Sequence, residues 1–170
     1  MATKQLRVPD LQLFREEDLL PASPLRLDEL KPSQRLLTVF EACHNYIYAN
    51  EGLLKERIFH EIVKLLLMKL IDERRNPAAL AEFMITAGEY AELKASGETP
   101  LLSRMDRLFA AAKRAHPRLF VDDKGIALRP LTLAYVVAQL QPISLLRTPG
   151  DAKGEAFQTF VCRHQRGDRG

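Results

Sequence analysis

The stretch EGLLKERIFHEIVKLLLMKLIDERR, residues 51–75, contains the most apolar run of the chain and decides its fold. Its apolar side chains recur at three- and four-residue intervals, and in the middle of the stretch they occupy most sides of a helix. A helix that is apolar nearly all round has to be covered by other elements. The stretch therefore predicts a long helix at the centre of a bundle, with Asn50 as its N-cap.

The sequence around this stretch predicts the other helices of the bundle. Each further segment shows apolar periodicity, and all but the first also carry a helix-start signal such as a proline at the first position or an acidic residue in the first turn. These helices are predicted over residues 33–50, 78–95, 100–115, 130–141 and 151–164. The expected fold class is mainly α, with about five or six helices in one domain that covers residues 33–165.

Two parts of the chain lack a helical pattern. Residues 1–32 contain four prolines, which prevent a long helix, and are predicted to form an extended Pro-rich N-terminal arm. Residues 119–128 place β-favouring side chains on both sides of a turn that contains Gly125. This pattern predicts one small β-hairpin.

The positive charge of the protein lies almost entirely in its last part. The formal net charge is +3, yet residues 100–170 carry twelve basic and six acidic residues, a balance of +6. An excess of this kind favours a polyanion such as nucleic acid as a partner. Because the bases are scattered along the segment, an ordinary solvated surface is the alternative interpretation.

The sequence contains no motif for cofactor, metal or catalytic chemistry. Neither a Gly-x-Gly-x-x-Gly nor a P-loop pattern occurs, and no strand precedes the glycines of residues 150–154. The two cysteines and four histidines lack paired metal-ligand spacing, so no metal site is predicted. Asn76-Pro77 lacks the second proline and the aromatic ring that adenine methyltransferases use on a flipped base. We therefore predict no catalytic, cofactor-binding or metal-ligating residue in this chain.

Cysteine content and hydropathy indicate where in the cell the protein is located. Two cysteines in apolar segments favour a reducing environment, and no apolar run approaches the roughly twenty residues of a membrane span. We expect a cytoplasmic protein with no membrane partner.

Three stretches resemble a known family. They are FHEIVKLLLMKLIDERRNP at residues 59–77, LFVDDKGIALRPLTLAYVVAQLQPISL at residues 119–145, and DAKGEAFQTFV at residues 151–161. Together they are similar to the N-terminal helical domain of adenine-N6 DNA methyltransferases, the M subunits of type I restriction-modification systems. Gln158 stands where the family usually has an acidic residue.

The resemblance implies a non-catalytic helical domain that contacts DNA and a specificity subunit or target-recognition domain. The S-adenosylmethionine site and the catalytic motif would lie in a separate catalytic domain of the parent protein. Residues 166–170 would begin the linker to that domain. The alternative is a freestanding helical adaptor that binds a protein or nucleic acid and has no enzymatic parent.

Two sets of candidate residues follow from charge and resemblance. The candidates for DNA or partner contact are the bases around the predicted hairpin and at the end of the chain: Arg118, Lys124, Arg129, Lys153, Arg163, Arg166 and Arg169. The candidates for a structural joint lie at the start of the last helix: Gly150, Asp151, Gly154 and Phe157.

Overall fold

The computed structural model of the protein describes residues 20–165. Within this range it contains six α-helices: α1 Leu36–Glu51, α2 Lys55–Glu73, α3 Ala87–Ser96, α4 Pro100–Ala115, α5 Pro130–Leu140 and α6 Gly150–Gln165. One short 3-10 helix, Leu27–Glu29, precedes them. The prediction of a mainly α fold with five or six helices is confirmed for these residues. None of the helices in the described range has both the length and the apolar character that a membrane crossing requires.

Helix α2 lies at the centre of the bundle, as its apolar pattern predicts. It packs against α1, α4 and α6. Its side chains Ile58, Ile62, Leu65, Leu66 and Met68 are at most 1% exposed. Burial of each such side chain contributes roughly 1.5–3 kcal/mol, so this helix is a main source of the bundle's stability.

Helix α5 is a second buried element. All nine residues from Thr132 to Leu140 are buried, and the helix packs against α1 and α3. A helix whose side chains are mostly apolar is kept from water when other elements cover it on several sides.

The junction between α1 and α2 differs from the prediction in which Asn50 caps the long helix. Asn50 instead lies in the last turn of α1, and its Nδ2 donates a hydrogen bond to the carbonyl oxygen of Tyr46 at 2.8 Å. Gly52 ends α1 in the left-handed conformation, with φ 64°. Glycine adopts this conformation without a Cβ clash, so it supplies the stop signal between the two helices.

The third helix begins later than predicted. The prediction covers residues 78–95, whereas α3 starts at Ala87. Asp72, at the end of α2, accepts hydrogen bonds from the backbone N–H groups of Glu82 and Phe83 at 2.9 and 2.8 Å. The Asp72 carboxylate holds this part of the backbone outside a helix, which a one-dimensional pattern does not reveal.

The predicted β-hairpin is not confirmed. Residues 117–129 form turns and bends, with no strand. The Gly125 carbonyl accepts a hydrogen bond from Lys64 Nζ at 2.7 Å, and the Ala127 N–H donates to Glu61 Oε2 at 3.1 Å. These two backbone groups are therefore bound to side chains of α2 and not to a partner strand.

The extended arm is not confirmed either, because residues 1–19 of the predicted arm lie outside the described range. Its described part packs against the loops that follow α2 and α5, and its Leu27 and Leu30 side chains are buried. The Leu27 N–H donates to the Ala79 carbonyl at 2.9 Å, and the Lys31 N–H donates to the Pro142 carbonyl at 3.0 Å. From Leu20 onward, this segment is part of the folded domain.

Substitution of Asp72 tests the anchoring of the α2–α3 loop. We expect Asp72→Asn to lower the free energy of unfolding by about 2–3 kcal/mol, because an amide cannot replace both oxygens that accept hydrogen bonds. Urea denaturation at pH 7 measures the change. Asp106→Asn is the control, since the side chain of Asp106 is exposed and makes no hydrogen bond or ion pair within residues 20–165. Equal stability of the two variants would contradict this role of Asp72.

Candidate nucleic-acid interface

A buried cluster of charged side chains joins α2 to the segment 122–127. Lys64 and Glu61 are both 0% exposed. The Lys64 ammonium donates to Glu61 Oε1 at 2.8 Å, to Asp123 Oδ1 at 2.8 Å and to the Gly125 carbonyl at 2.7 Å. All three of its N–H groups are therefore used, which is the condition under which a buried ammonium is tolerated.

Asp123 extends this cluster toward the surface. Its Oδ2 lies 3.0 Å from Nε2 of His60, whose side chain is 41% exposed. Burial raises the pKa of the Asp123 carboxyl, but the hydrogen bonds from Lys64 and His60 outweigh it, so the pKa is lower than usual. Asp123 is consequently ionised at neutral pH and holds one edge of the His60 ring.

Three of the predicted contact residues are engaged by the protein itself. Arg129 Nε lies 3.4 Å from Glu51 Oε2, and Arg129 Nη2 donates to the carbonyl of Asn50. Lys153 Nζ donates to the Leu145 carbonyl at 3.0 Å. Arg163 is likewise in an ion pair, with its Nη1 3.2 Å from the Oε1 of the α1 residue Glu41. Each of these bases helps to hold two segments together.

Two other predicted contact residues are free to meet a ligand. The side chains of Arg118 and Lys124 are exposed and make no hydrogen bond or ion pair with any described residue. The remaining two, Arg166 and Arg169, lie outside the described residues. The structure thus divides the predicted set into engaged and unengaged bases.

Two further bases, which were not among the predicted contact residues, lie on α4. Arg107 and Arg114 are exposed and lack partners among residues 20–165. They are seven residues apart, almost two helical turns, so they project from the same side of α4. This spacing was the signal that could have identified them. Lys113 Nζ donates to the Asp123 carbonyl at 2.9 Å and brings the segment of Lys124 to the end of α4.

We call the four unengaged bases of this region the basic face: Arg107, Arg114, Arg118 and Lys124. The exposed acids beside them in sequence are Asp106 and Asp122. Arginine and lysine side chains without internal partners can release counterions from a phosphate backbone, which is the main source of affinity for nucleic acids. The arrangement can bind a polyanion and contains no group placed for covalent chemistry.

The predicted structural joint lies at the start of α6. Gly150 is the first residue of the helix, and Asp151 Oδ1 accepts the Ala152 N–H at 3.0 Å within the first turn. The ring of Phe157 packs edge-on against Phe40, with centroids 5.3 Å apart. A Cβ at Gly154 would meet no atom within 4 Å, so close packing does not require glycine there.

Two stacked histidines connect α1 and α6. His44 is 3% exposed, and neither of its ring nitrogens has a hydrogen-bond partner in the described part of the chain. Its ring stacks on His164 with centroids 3.8 Å apart, and His164 Nε2 lies 3.1 Å from Glu41 Oε2. Burial, aided by the charges of His164 and Lys55 and opposed by Glu41, lowers the pKa of His44 to about 4. His44 is therefore a neutral core ring at physiological pH.

Comparison with known proteins yields no relative. No family model, no curated protein and no solved structure matches the chain. Within residues 20–165, no group of three or more His, Cys, Asp and Glu side chains could hold a metal ion. The class that fold and site define is an α-helical bundle with a basic face, and its function has to be argued from these features.

Lys64 gives a test of the buried cluster. We expect Lys64→Met to lower the free energy of unfolding by about 3–5 kcal/mol, because Glu61 and Asp123 would stay in a buried site without their counter-charge. Chemical denaturation at pH 7 measures the loss. Lys124→Met removes a neighbouring but exposed lysine and should change the free energy by less than about 0.5 kcal/mol. A mild effect of Lys64→Met would show that the cluster is dispensable.

His44 gives the folded protein a specific sensitivity to acid. The unfolded chain binds a proton at this residue below about pH 6.5, whereas the folded chain resists it down to about pH 4. The contribution of His44 to the free energy of unfolding is therefore fully present above about pH 6.5 and is lost as the pH falls toward 4. Between pH 7 and pH 5 the loss is about 2 kcal/mol.

Urea denaturation at pH 7 and pH 5 compares the wild type with His44→Phe, which keeps a ring and cannot titrate. We expect the variant to lose less stability over this interval than the wild type. His116→Phe, at the partly exposed histidine after α4, should behave like the wild type. An unchanged acid response in His44→Phe would disprove the assignment.

Proposed function

We propose that this chain is the helical, non-catalytic module of an adenine-N6 DNA methyltransferase in a restriction-modification or phage-defence system. The module would act in the cytoplasm and contribute contacts to DNA and to a specificity subunit or target-recognition domain. S-adenosylmethionine would be bound by the catalytic domain of the parent protein, which is a further partner of the module. This chain's own task would be binding and positioning.

The proposal rests on one observation, the joining of the three family-like stretches in space. The first stretch contains Glu61 and Lys64, which hold the second stretch at residues 123–127. Glu73, at the other end of α2, accepts hydrogen bonds from Ser144 Oγ at 2.9 Å and from the Leu145 N–H at 3.0 Å. The third stretch forms most of α6, which packs on α2. Segments far apart in sequence therefore form one unit, as expected if the resemblance reflects a common module.

The basic face supports the DNA contacts of this module. It lies on α4 and on the turns that follow, within the segment whose charge balance is +6. Contacts from such side chains go to phosphates and do not read base sequence. Weak, sequence-independent binding suits a module that leaves target recognition to another subunit or domain.

Salt-dependent DNA binding is the experimental test. Fluorescence anisotropy with a duplex oligonucleotide between 50 and 200 mM salt should show an affinity that falls steeply with salt. The double variant Arg114→Gln/Arg118→Gln should bind more weakly and should lower the slope of log affinity against log salt by about two. Arg129→Gln/Arg163→Gln is the matched control, since it removes the same charge from engaged residues and should have a smaller effect.

Two results would count against the proposal. Equal losses in both double variants would show that the basic face has no special role. Methyl transfer from S-adenosylmethionine to DNA by residues 1–170 alone would contradict a non-catalytic module.

A freestanding adaptor is the second candidate, because two apolar side chains are exposed at the junction of α1 and α2. Leu54 is 80% exposed and Tyr48 is 56% exposed. Both line a groove of about 810 Å³. Exposed apolar side chains beside a groove are typical of a protein-docking surface. A wild-type chain that binds no duplex DNA even at 50 mM salt would favour this alternative.

A further inference from the structure

Arg107 and Arg114 form a cationic stripe on one side of α4. Arg104, three residues before Arg107, is already neutralised, since its Nη2 lies 2.6 Å from Glu89 Oε2. The side chains of Arg107 and Arg114 are exposed and have no partner among residues 20–165. Asp106, next to Arg107 in sequence, projects about 100° away around the helix. The stripe therefore presents two positive charges that are not paired with a described carboxylate.

The described part of the chain begins beside this stripe. Leu20 is 7% exposed, and the carbonyl of Pro21 accepts a hydrogen bond from the N–H of Ala87, the first residue of α3, at 2.9 Å. Two residues further along α3 is the carboxylate that pairs with Arg104. The chain before Leu20 is thus anchored at the end of α3 that Arg104 holds to α4. Arg107 lies only about 4.5 Å beyond Arg104 along the axis of α4.

The segment that precedes Leu20 has the complementary charge. Residues 11–18, LQLFREED, contain three acids and one base, a net charge of −2, and we call them the acidic segment. The acids are Glu16, Glu17 and Asp18. They come two to four residues before Leu20, so even an extended chain keeps them within roughly 7–14 Å of it. The acids are therefore within reach of the long side chains of the stripe, and the net charges of −2 and +2 are equal and opposite.

Charged and apolar groups also follow one another in the same order on the acidic segment and on the surface. Going away from Leu20, the acids come first and the mostly apolar residues 11–14 follow. Going along α4, the stripe comes first, and Leu119 and Val121 follow the end of the helix, 57% and 69% exposed. The 16 residues of α4 span about 24 Å, and the nine residues from Leu20 back to residue 11 span up to roughly 30 Å. The segment is therefore long enough to follow the whole helix.

We infer that the acidic segment of this chain binds along the cationic stripe, with its carboxylates paired to Arg107 and Arg114. Exposed ion pairs are individually weak, but the short connection to the buried Leu20 gives the acids a high effective concentration at the stripe. The contact covers half of the basic face and shields it from a competing polyanion. This shielding rests on the proposed function, in which the polyanion is DNA, whereas the contact itself does not.

Carbodiimide cross-linking of the full chain tests the contact without DNA. The reagent joins a carboxylate directly to a lysine amine, so Arg107→Lys/Arg114→Lys keeps the charge of the stripe and makes it reactive. We expect a cross-link within the monomer between residues 16–18 and position 107 or 114, identified by mass spectrometry. Arg163→Lys, which places an amine at an exposed position of α6, should give no link to residues 16–18. The inference is overturned if no link forms at the stripe, or if the link occurs only between two copies of the chain.

DNA affinity tests the shielding. Glu16→Gln/Glu17→Gln should bind a duplex oligonucleotide about threefold more tightly than the wild type at 150 mM salt, because the stripe is freed. Glu56→Gln/Glu155→Gln is the matched control, since it removes the same charge from exposed acids that have no partner among the described residues. At this salt concentration distant charges are screened, so the control should change the affinity by less than about 1.5-fold. Equal gains in the two double variants would overturn the shielding.

Failure of this inference is distinguishable from failure of the proposed function. If the chain binds duplex DNA and no cross-link forms at the stripe, the intramolecular contact is disproved and the DNA-binding proposal is unaffected. If the cross-link forms and neither the wild type nor Glu16→Gln/Glu17→Gln binds DNA, the contact stands and the DNA contacts of the proposed function fail.

Discussion

The fold depends on the counter-charges and hydrogen-bond partners that the buried charged groups of α2 find in other segments. A charge removed from water costs several kcal/mol unless counter-charges and hydrogen bonds surround it. Glu61 and Lys64 meet this requirement with residues 123–127, Asp72 with the backbone of residues 82–83, and Glu73 with residues 144–145. Each carboxylate or ammonium thereby holds one connecting segment against the same central helix.

This arrangement links stability to the proposed function. Lys64 holds Asp123 in place, and Asp123 in turn forms a hydrogen bond with the partly exposed ring of His60. Lys113 ties the same segment to α4, the helix that carries half of the basic face. Of the two bases of the basic face that lie outside helices, Lys124 therefore belongs to a segment that side chains of α2 and α4 hold in place. A site that must meet a regular phosphate backbone benefits from such support.

Helices with strong periodicity and a clear start were predictable from the sequence. Helix α4 covers residues 100–115 as predicted, and α5 begins at Pro130, because proline at the first helical position is a local signal. The start of α3 and the absence of a hairpin were not predictable, since long-range bonds from α2 decide both. For the site, charge alone indicated the basic C-terminal part, but it could not separate Arg118 from Arg129, which pairs with Glu51.

The sequence by itself determined the helical fold class, the central position of α2 and the location of the excess positive charge. These properties depend on side-chain periodicity and composition, which are local. Only the tertiary structure decided which bases remain unengaged, which irregular segments are held by α2 and which carboxylate meets His60 Nε2. These depend on contacts between residues about 60 positions apart, such as His60 and Asp123, and no local pattern encodes them.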